Sequence, residues 1–590
     1  MRPALTILAT LALAIAVAIT ASPAAATPGS LFRPPVSGKL GVVATESPAA
    51  ARVGRGVLEG GGNAVDAAVA TVFAMNVANP GACGIGGGGF MVYRSRKGRT
   101  AALDFREKAP ANFGPDTLQG PGLHTDFTGH LTVGVPGTVA GMSAALRRFG
   151  TLSLANAIAP SVRLARQGVR VRPGVSEAIA ENADRLKMFP ASAKQFLKNG
   201  TTPYPAGSLL RQPDLARSLA AIAKNGPRAF YRGRIARLIG AEMDRARKSP
   251  MAGDAAVMTR SDLAAYRAKW RRPLRGTYRG NGIVAMPPPT SGGVALIEML
   301  NLLEGYDLRA AGHSSADAVH LIAEAQKIAW ADRGEYIADP DFVRQPLHTL
   351  LSKSYATARR AEIDPARAKD FTPGIGPYSG FQPAASVEPG STTHISVIDR
   401  KGNAVALTCT IEQIFGSAVV APGTGFLLNN ELTDFGRPGT ANEARGGKRP
   451  RSSMSPTIVA RGGVPIIVTG GAGGSRIIMG VVQTVLNRLD FGLDLAYAVD
   501  AERFDAQREI EGATFIEDGR FSAAVIGELQ LRGHKFEGEG EYSDSMPRIQ
   551  AAGYLSPQGR KKLAVTDPRS DAGSLQQRKR TLVVRPRSPR

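Results

Sequence analysis

The chain has 590 residues, 43% of them hydrophobic and 21% charged, a balance that excludes whole-chain disorder, a collagen and a coiled coil. The 68 glycines predict many tight turns and close backbone approaches rather than a helical bundle. A formal charge of +24 invites an acidic partner such as nucleic acid, yet only residues 560–590, with ten basic and two acidic side chains, read as a basic tail; elsewhere a solvated basic surface accounts for the excess.

In chain order, Arg2 and an apolar run from Ala4 to Ile19 precede Ser22-Pro23-Ala24-Ala25-Ala26. This pattern predicts a secretory signal over residues 1–26, export to the periplasm or beyond, and no membrane span once the leader is gone. Export also argues against a nucleic-acid partner. Gly41–Thr45 reads as a short strand. Asn63 caps a helix that is apolar nearly all round, hence buried, and stops at Pro80. Gly84-Ile85-Gly86-Gly87-Gly88-Gly89 satisfies G-x-G-x-x-G, but a helix precedes it and a strand follows, the wrong order for a dinucleotide fold.

Residues 150–275 read as mostly helical, and a further helix opens after Pro287-Pro288-Pro289-Thr290-Ser291-Gly292-Gly293. Ser314-Ser315-Ala316-Asp317 predicts a capping box for a helix with apolar residues at 318, 322, 325 and 329. Residues 365–391 hold five Pro and four Gly without periodicity, an exposed loop and a natural place for the chain to be cut. No repeat of fixed period occurs. Two cysteines, Cys83 and Cys409, exclude a disulfide framework and a Cys-rich zinc site. Seven scattered histidines without H-E-x-x-H argue against a zinc enzyme.

After the loop, Ser391–Asp399 and Asn403–Thr410 flank a turn at Arg400-Lys401-Gly402 and read as a β-hairpin. Centring the turn on Lys401 pairs Thr392 with Thr410, His394 with Thr408 and Ser396 with Ala406 on one face. Ile395 then pairs with Leu407 and Val397 with Val405 on the other. A one-residue slip would mix the polar and apolar faces, so the pattern supports this register. Thr392 and Thr410 then face each other, and Cys409 falls on the apolar face, in a structural role.

Nine stretches in this order resemble the gamma-glutamyltransferase (glutathione hydrolase) family. They are Gly62–Ala68, Gly86–Phe90, Asp104-Phe105-Arg106-Glu107, Val135–Gly141, Thr392-Thr393-His394, Leu428–Glu431, Lys448-Arg449-Pro450, Ser452–Thr457 and Gly473–Arg476. The resemblance implies an α/β (α+β) fold, a four-layer αββα sandwich of the N-terminal-nucleophile hydrolase type. It also implies a precursor that cuts itself between Ser391 and Thr392. Residues 27–391 and 392–590 then form the large and small subunits of a heterodimer sharing one domain, with residues 570–590 as a basic tail. Thr392 becomes the nucleophile, activated by its own α-amino group, whose ordinary pKa of about 7.7–8.0 suits a local base; His394 is not needed.

By the same resemblance Thr410 bonds the nucleophile and Gly473 and Gly474 form the oxyanion hole. Arg106, Ser452 and Ser453 hold the substrate α-carboxylate, and Glu431 and Asp434 its α-ammonium. No metal or cofactor is implied. The partners are a γ-glutamyl substrate and a water, amino-acid or peptide acceptor. The chain departs from the family pattern at Glu412, where Asn is usual, at Ser391, at Arg451 in place of Leu, and in a short Phe435–Gly447 stretch that leaves the site open to larger acceptors. Glu412 is shared with acylases of the same fold, so cleavage of glutaryl-like side-chain amides is the alternative. A non-catalytic basic protein binding acidic polymers is the reading from another class, and it requires an uncut chain.

Overall fold

A computed structural model describes residues 32–118, 127–248, 255–376, 391–507, 513–543, 545–555 and 561–570. The proposed leader, most of the loop before Ser391 and the tail from 571 onward lie outside these residues.

Two antiparallel sheets form the centre. The six-stranded sheet runs Gly41–Ala44, Thr392–Asp399, Ala404–Thr410, Gly88–Arg94, Thr100–Asp104 and Lys269–Arg271. The seven-stranded sheet runs Val36–Gly38, Lys562–Thr566, Arg548–Tyr554, Val464–Ala472, Thr457–Arg461, Asn281–Ala285 and Leu274–Tyr278. In each sheet a block of strands from after Ser391–Thr392 is flanked by strands from before it, so neither part has a complete sheet alone.

The hairpin has the register read from the sequence: Thr392 opposite Thr410, His394 opposite Thr408, Ile395 opposite Leu407. Its two faces explain why. Ile395, Val397, Val405, Leu407 and Cys409 pack against the helix Ala64–Ala78, all of whose residues are buried. On the other face Ser396 Oγ donates to the carbonyls of Val468 and Gln550 (2.9 and 3.0 Å) in the seven-stranded sheet. A slip would drive these hydroxyls into the helix and leave buried donors unpaired, at about 1–3 kcal/mol each. Asp399 ties the turn to the helix start: its carboxylate accepts from the backbone and side-chain nitrogens of Asn403 and from Ala64 N. Asn63 caps that helix in a reciprocal box with Asp66.

On the outside of the seven-stranded sheet lie Gly292–Leu303, Ala316–Tyr336 and Ile477–Leu489, completing a helix–sheet–sheet–helix stack. The cap of Ala316–Tyr336 is Ser315, one residue later than expected, because Ser314 adopts a left-handed backbone (φ 54°) and cannot present its hydroxyl to the first turn.

Two further expectations need correcting. Cys83 and Cys409 form a disulfide across 326 residues, which their isolation in sequence hid. The start of the basic tail is not free: Arg569 is fully buried against Glu517 and Asp567, and Lys562 lies in a strand. No described helix is long and apolar enough to cross a membrane.

Candidate active site

Ser391 and Thr392 are buried at the start of the hairpin, and the peptide bond between them is held from several directions. Ser391 N donates to the carbonyl of Glu412 (2.6 Å), and Ser391 Oγ donates to that of Gly81. Thr392 Oγ1 donates to Thr410 Oγ1 at 3.2 Å. The Thr410 hydroxyl in turn donates to the Ser391 carbonyl oxygen at 3.1 Å, and its oxygen accepts from Glu412 N at 2.8 Å. One hydroxyl therefore touches both the would-be nucleophile and the carbonyl it would attack.

The glycine run beneath is shaped by this contact rather than by a phosphate. A Cβ on Gly87 would lie 2.0 Å from Thr410 O, on Gly86 1.9 Å from Leu427 O, and on Gly89 2.1 Å from Thr408 O. These are approaches that only glycine permits.

His394 sits two residues along and takes no part in the relay. Its ring lies between Thr408 Oγ1 (2.8 Å) and Ser396 Oγ (3.0 Å), and burial pushes its pKa down to about 3, so it is neutral. The ring also lies over Gly470, where a Cβ would come within 2.4 Å of it. From Ser396 over Val468 to His394 over Gly470, the two strands run past each other. The same progression brings the Thr392 end to Ala472, next to Gly473 and Gly474. Both glycines have left-handed φ values, 131° and 57°, a backbone conformation that favours glycine.

The charged half of the site is assembled from distant segments. Arg106 is fully buried and ion-paired to both Glu431 and Asp434. Its Nε donates to the carbonyl of Pro450 (3.2 Å), and Nη2, which also pairs with Asp434, donates to that of Arg451 (3.1 Å). Arg106 does not form the surface pair with Asp104 or Glu107 that neighbouring charges would suggest. Asp104 is engaged by Arg271 and Arg449. Glu412, Glu431 and Asp434 bring carboxylate oxygens within 4.8 Å of one another. With Arg106 the four groups carry a formal excess of two negative charges. Such an oxygen cluster, with its net negative charge, suits a cation.

Ser452 and Ser453 occupy the adjoining turn. Ser453 Oγ accepts from Arg333 Nη2 (2.9 Å) and Ser452 Oγ from Met454 N (3.1 Å). The Pro-rich segment frames this turn: Thr290 Oγ1 donates to Met454 O (2.6 Å) and Ser291 Oγ to Ser452 O (2.7 Å).

Two residues escaped the sequence reading. Asn429 holds the Gly86 and Gly134 carbonyls and receives the Glu431 amide, so it sets where Glu431 stands. Glu107 is buried with both carboxylate oxygens unpartnered among the described residues. Burial pushes its pKa up to about 8, against the opposing pull of Arg106. Both stood within motifs already noticed, but their roles depend on contacts far along the chain. The Phe435–Gly447 stretch turns toward Phe113, and Lys448 Nζ holds the carbonyls of Ala441 and Glu443.

The family profile described as Gamma-glutamyltranspeptidase matches residues 50–576. The chain belongs to this family. It is 42% identical over 518 residues to the glutathione hydrolase proenzyme of Escherichia coli (strain K12), covering 85% of this chain and 86% of the relative. It is 39% identical over 512 residues to the acylase ACY 1 proenzyme of Pseudomonas sp. (strain SE83), covering 85% and 88%. Its fold is similar to the crystal structure of cephalosporin acylase from Bacillus halodurans, with a TM-score of 0.82 at 29% identity, covering 94% of this chain and 98% of that one. The αββα sandwich is thus shared with a solved relative, and both of the relatives compared by sequence are proenzymes.

Proposed function

We propose that this chain is an exported proenzyme that cuts itself between Ser391 and Thr392 and then cleaves γ-glutamyl amides through a γ-glutamyl ester of Thr392. The Thr392–Thr410–Ser391 relay is the observation that carries this reading.

In processing, Thr392 Oγ1 attacks the Ser391 carbonyl carbon and passes its proton toward the departing Thr392 nitrogen. Thr410, donating to the carbonyl oxygen, stabilises the charge that develops there. The C–N bond breaks and an ester remains. Water hydrolyses it to a Ser391 carboxylate and a free Thr392 amine, which becomes the base for its own hydroxyl. In turnover the same hydroxyl attacks the substrate γ-carbonyl, with the Gly473 and Gly474 amides as oxyanion donors. The amine product leaves, and water or another amine takes the acyl group.

Arg106 with Ser452 and Ser453 receives the α-carboxylate, and Glu431, Asp434 and Glu412 the α-ammonium. The electrostatics favour γ-glutamyl over glutaryl amides. A glutaryl group brings a carboxylate and no ammonium into a cluster already two charges negative, whereas the γ-glutamyl zwitterion answers both signs. The acylase reading keeps two points in its favour, Glu412 and the similarity to acylases noted above. The Cys83–Cys409 disulfide supports export, because such bonds persist in oxidising compartments.

The test is a gel of the purified full chain with and without reductant. Since Cys83 and Cys409 lie on opposite sides of the cut, a processed chain gives one band unreduced and two bands reduced, the smaller beginning at Thr392. Thr392→Ala should give a single band in both lanes and no release of p-nitroaniline from γ-glutamyl-p-nitroanilide. An intact, reduced wild-type band overturns the reading in favour of a non-catalytic protein. Turnover of a glutaryl amide alone transfers the assignment to the acylases.

A further inference from the structure

A second cluster lies far from the threonines along the chain. His320 and Glu324 stand one helical turn apart on Ala316–Tyr336, and His534 comes from the turn after the helix Ala523–Leu531. All three side chains are buried, and one ligand-type atom from each lies within 4.8 Å of the others. His320 Nδ1 and His534 Nε2 face each other at 2.8 Å.

The hydrogen bonds around the cluster orient its donors. His320 Nε2 lies 2.8 Å from the carbonyl of Asp364. A carbonyl only accepts, so Nε2 carries the proton and Nδ1 accepts a hydrogen bond from His534 Nε2; an ion would take that lone pair, with the His534 proton moving to its own Nδ1. An imidazole whose far N–H is fixed by a backbone carbonyl is the usual arrangement of a metal-binding histidine. Glu324 is similarly fixed by Lys369 N, which donates to Oε2 at 3.0 Å.

We propose that His320 Nδ1, His534 Nε2 and the Glu324 carboxylate bind one divalent ion of the zinc class. Two nitrogens and one carboxylate leave a fourth position for water, a donor set zinc takes readily. Ligand nitrogens on tetrahedral zinc stand about 3.3 Å apart, so the rings need to separate by about half an ångström. Lys327 Nζ now donates to Glu324 Oε1 (2.7 Å) and would yield that oxygen, keeping its bond to the Lys369 carbonyl (3.2 Å). The sequence hid this site because 214 residues separate the two histidines.

Its place suggests its use. Asp364 and Lys369 belong to the arm leading to the proposed cut, and Ala368 N also donates to Arg532 O (2.7 Å), two residues before His534. An ion here would fasten that arm and join chain from both sides of Ser391–Thr392, as a structural clamp and not a catalytic centre.

The experiment uses untagged full-length protein, stripped with chelator, titrated with zinc alone and dialysed, with elemental analysis and the visible absorption of the cobalt-substituted form as readouts. One zinc per chain is expected. His534→Ala and His320→Ala should each weaken binding by at least about tenfold and abolish the tetrahedral cobalt bands. Should His320→Ala fail to fold, His534→Ala at the cluster's edge decides alone, its fold checked by circular dichroism in chelator. Zinc no higher than in a chelator-treated control, or variants that bind like the wild type, overturns the proposal. Thr392→Ala should bind zinc unchanged, so failure of the processing reading and failure of this one are separable.

Discussion

The two sides of the Ser391–Thr392 bond are built on opposite principles. The attacking side is neutral: hydroxyls, carbonyls and an uncharged His394 held by a seven-pair hairpin register. The recognition side of the proposed site is charged: a fully buried Arg106 among three carboxylates, with Glu107 beside it lacking hydrogen-bond partners for its carboxylate among the described residues. In the proposed reaction, reactivity comes from backbone register, which aims groups without adding charge, and selectivity from buried charge, whose desolvation is offset only by close pairing. A change on the recognition side should therefore act on substrate binding and on pH response, and leave the self-cutting relay in place.

The largest expected effect is at Arg106. Lysine keeps the positive charge but lacks the planar fork that reaches Glu431, Asp434 and two carbonyls together. Arg106→Lys should lower kcat/KM for γ-glutamyl-p-nitroanilide by about 100-fold, the scale of a lost buried charge contact, and mostly through KM. Processing into two reduced bands should continue. A variant that stops cutting, or one that loses kcat at unchanged KM, would break the division between the two sides.

The next effect separates the sides by pH. Glu107 has a folded pKa of about 8, above its unfolded value, so between roughly pH 4.5 and 8 the folded state binds the extra proton and stability falls as pH rises. His394 has a folded pKa of about 3, below its unfolded value, so its contribution is lost as pH falls from about 6.5 toward 3. The recognition side is thus the alkaline weakness and the attacking side the acid one. In urea melts, Glu107→Gln should match the wild type within about 1 kcal/mol near pH 5 and gain about 3 kcal/mol on it by pH 9. Parallel pH profiles would mean that Glu107 is hydrated or paired in solution.

These differences also decide what was legible in the sequence. The hairpin register followed from alternation along two eight-residue segments, 392–399 and 403–410, because a local two-residue period determines which face is buried. The helix after Asn63 was readable for the same local reason. The Cys83–Cys409 bond, the Arg106–Glu431–Asp434 pairing and the unpartnered Glu107 were not, since each depends on segments brought together by the two interleaved sheets. Motif resemblance supplied Arg106 and the acids as site residues. It gave no sign that they would pair with one another, nor that Asn429 would place Glu431.

The smallest effect is the sharpest test of Glu412, which belongs to both sides: its amide donates to Thr410 and its carboxylate joins the acidic cluster. Its backbone is left-handed (φ 74°), a conformation in which asparagine is enriched and glutamate is not. The usual Asn of the family thus suits the backbone, and this chain accepts strain in exchange for a third carboxylate. Glu412→Asn should stabilise the fold by about 1 kcal/mol. It should also raise KM for γ-glutamyl-p-nitroanilide several-fold through the lost charge contact, about 1 kcal/mol. A glutaryl amide, which has no ammonium to lose, should be cleaved no worse. If both substrates weaken alike, Glu412 acts through the Thr410 backbone contact, and the ammonium belongs to Glu431 and Asp434 alone.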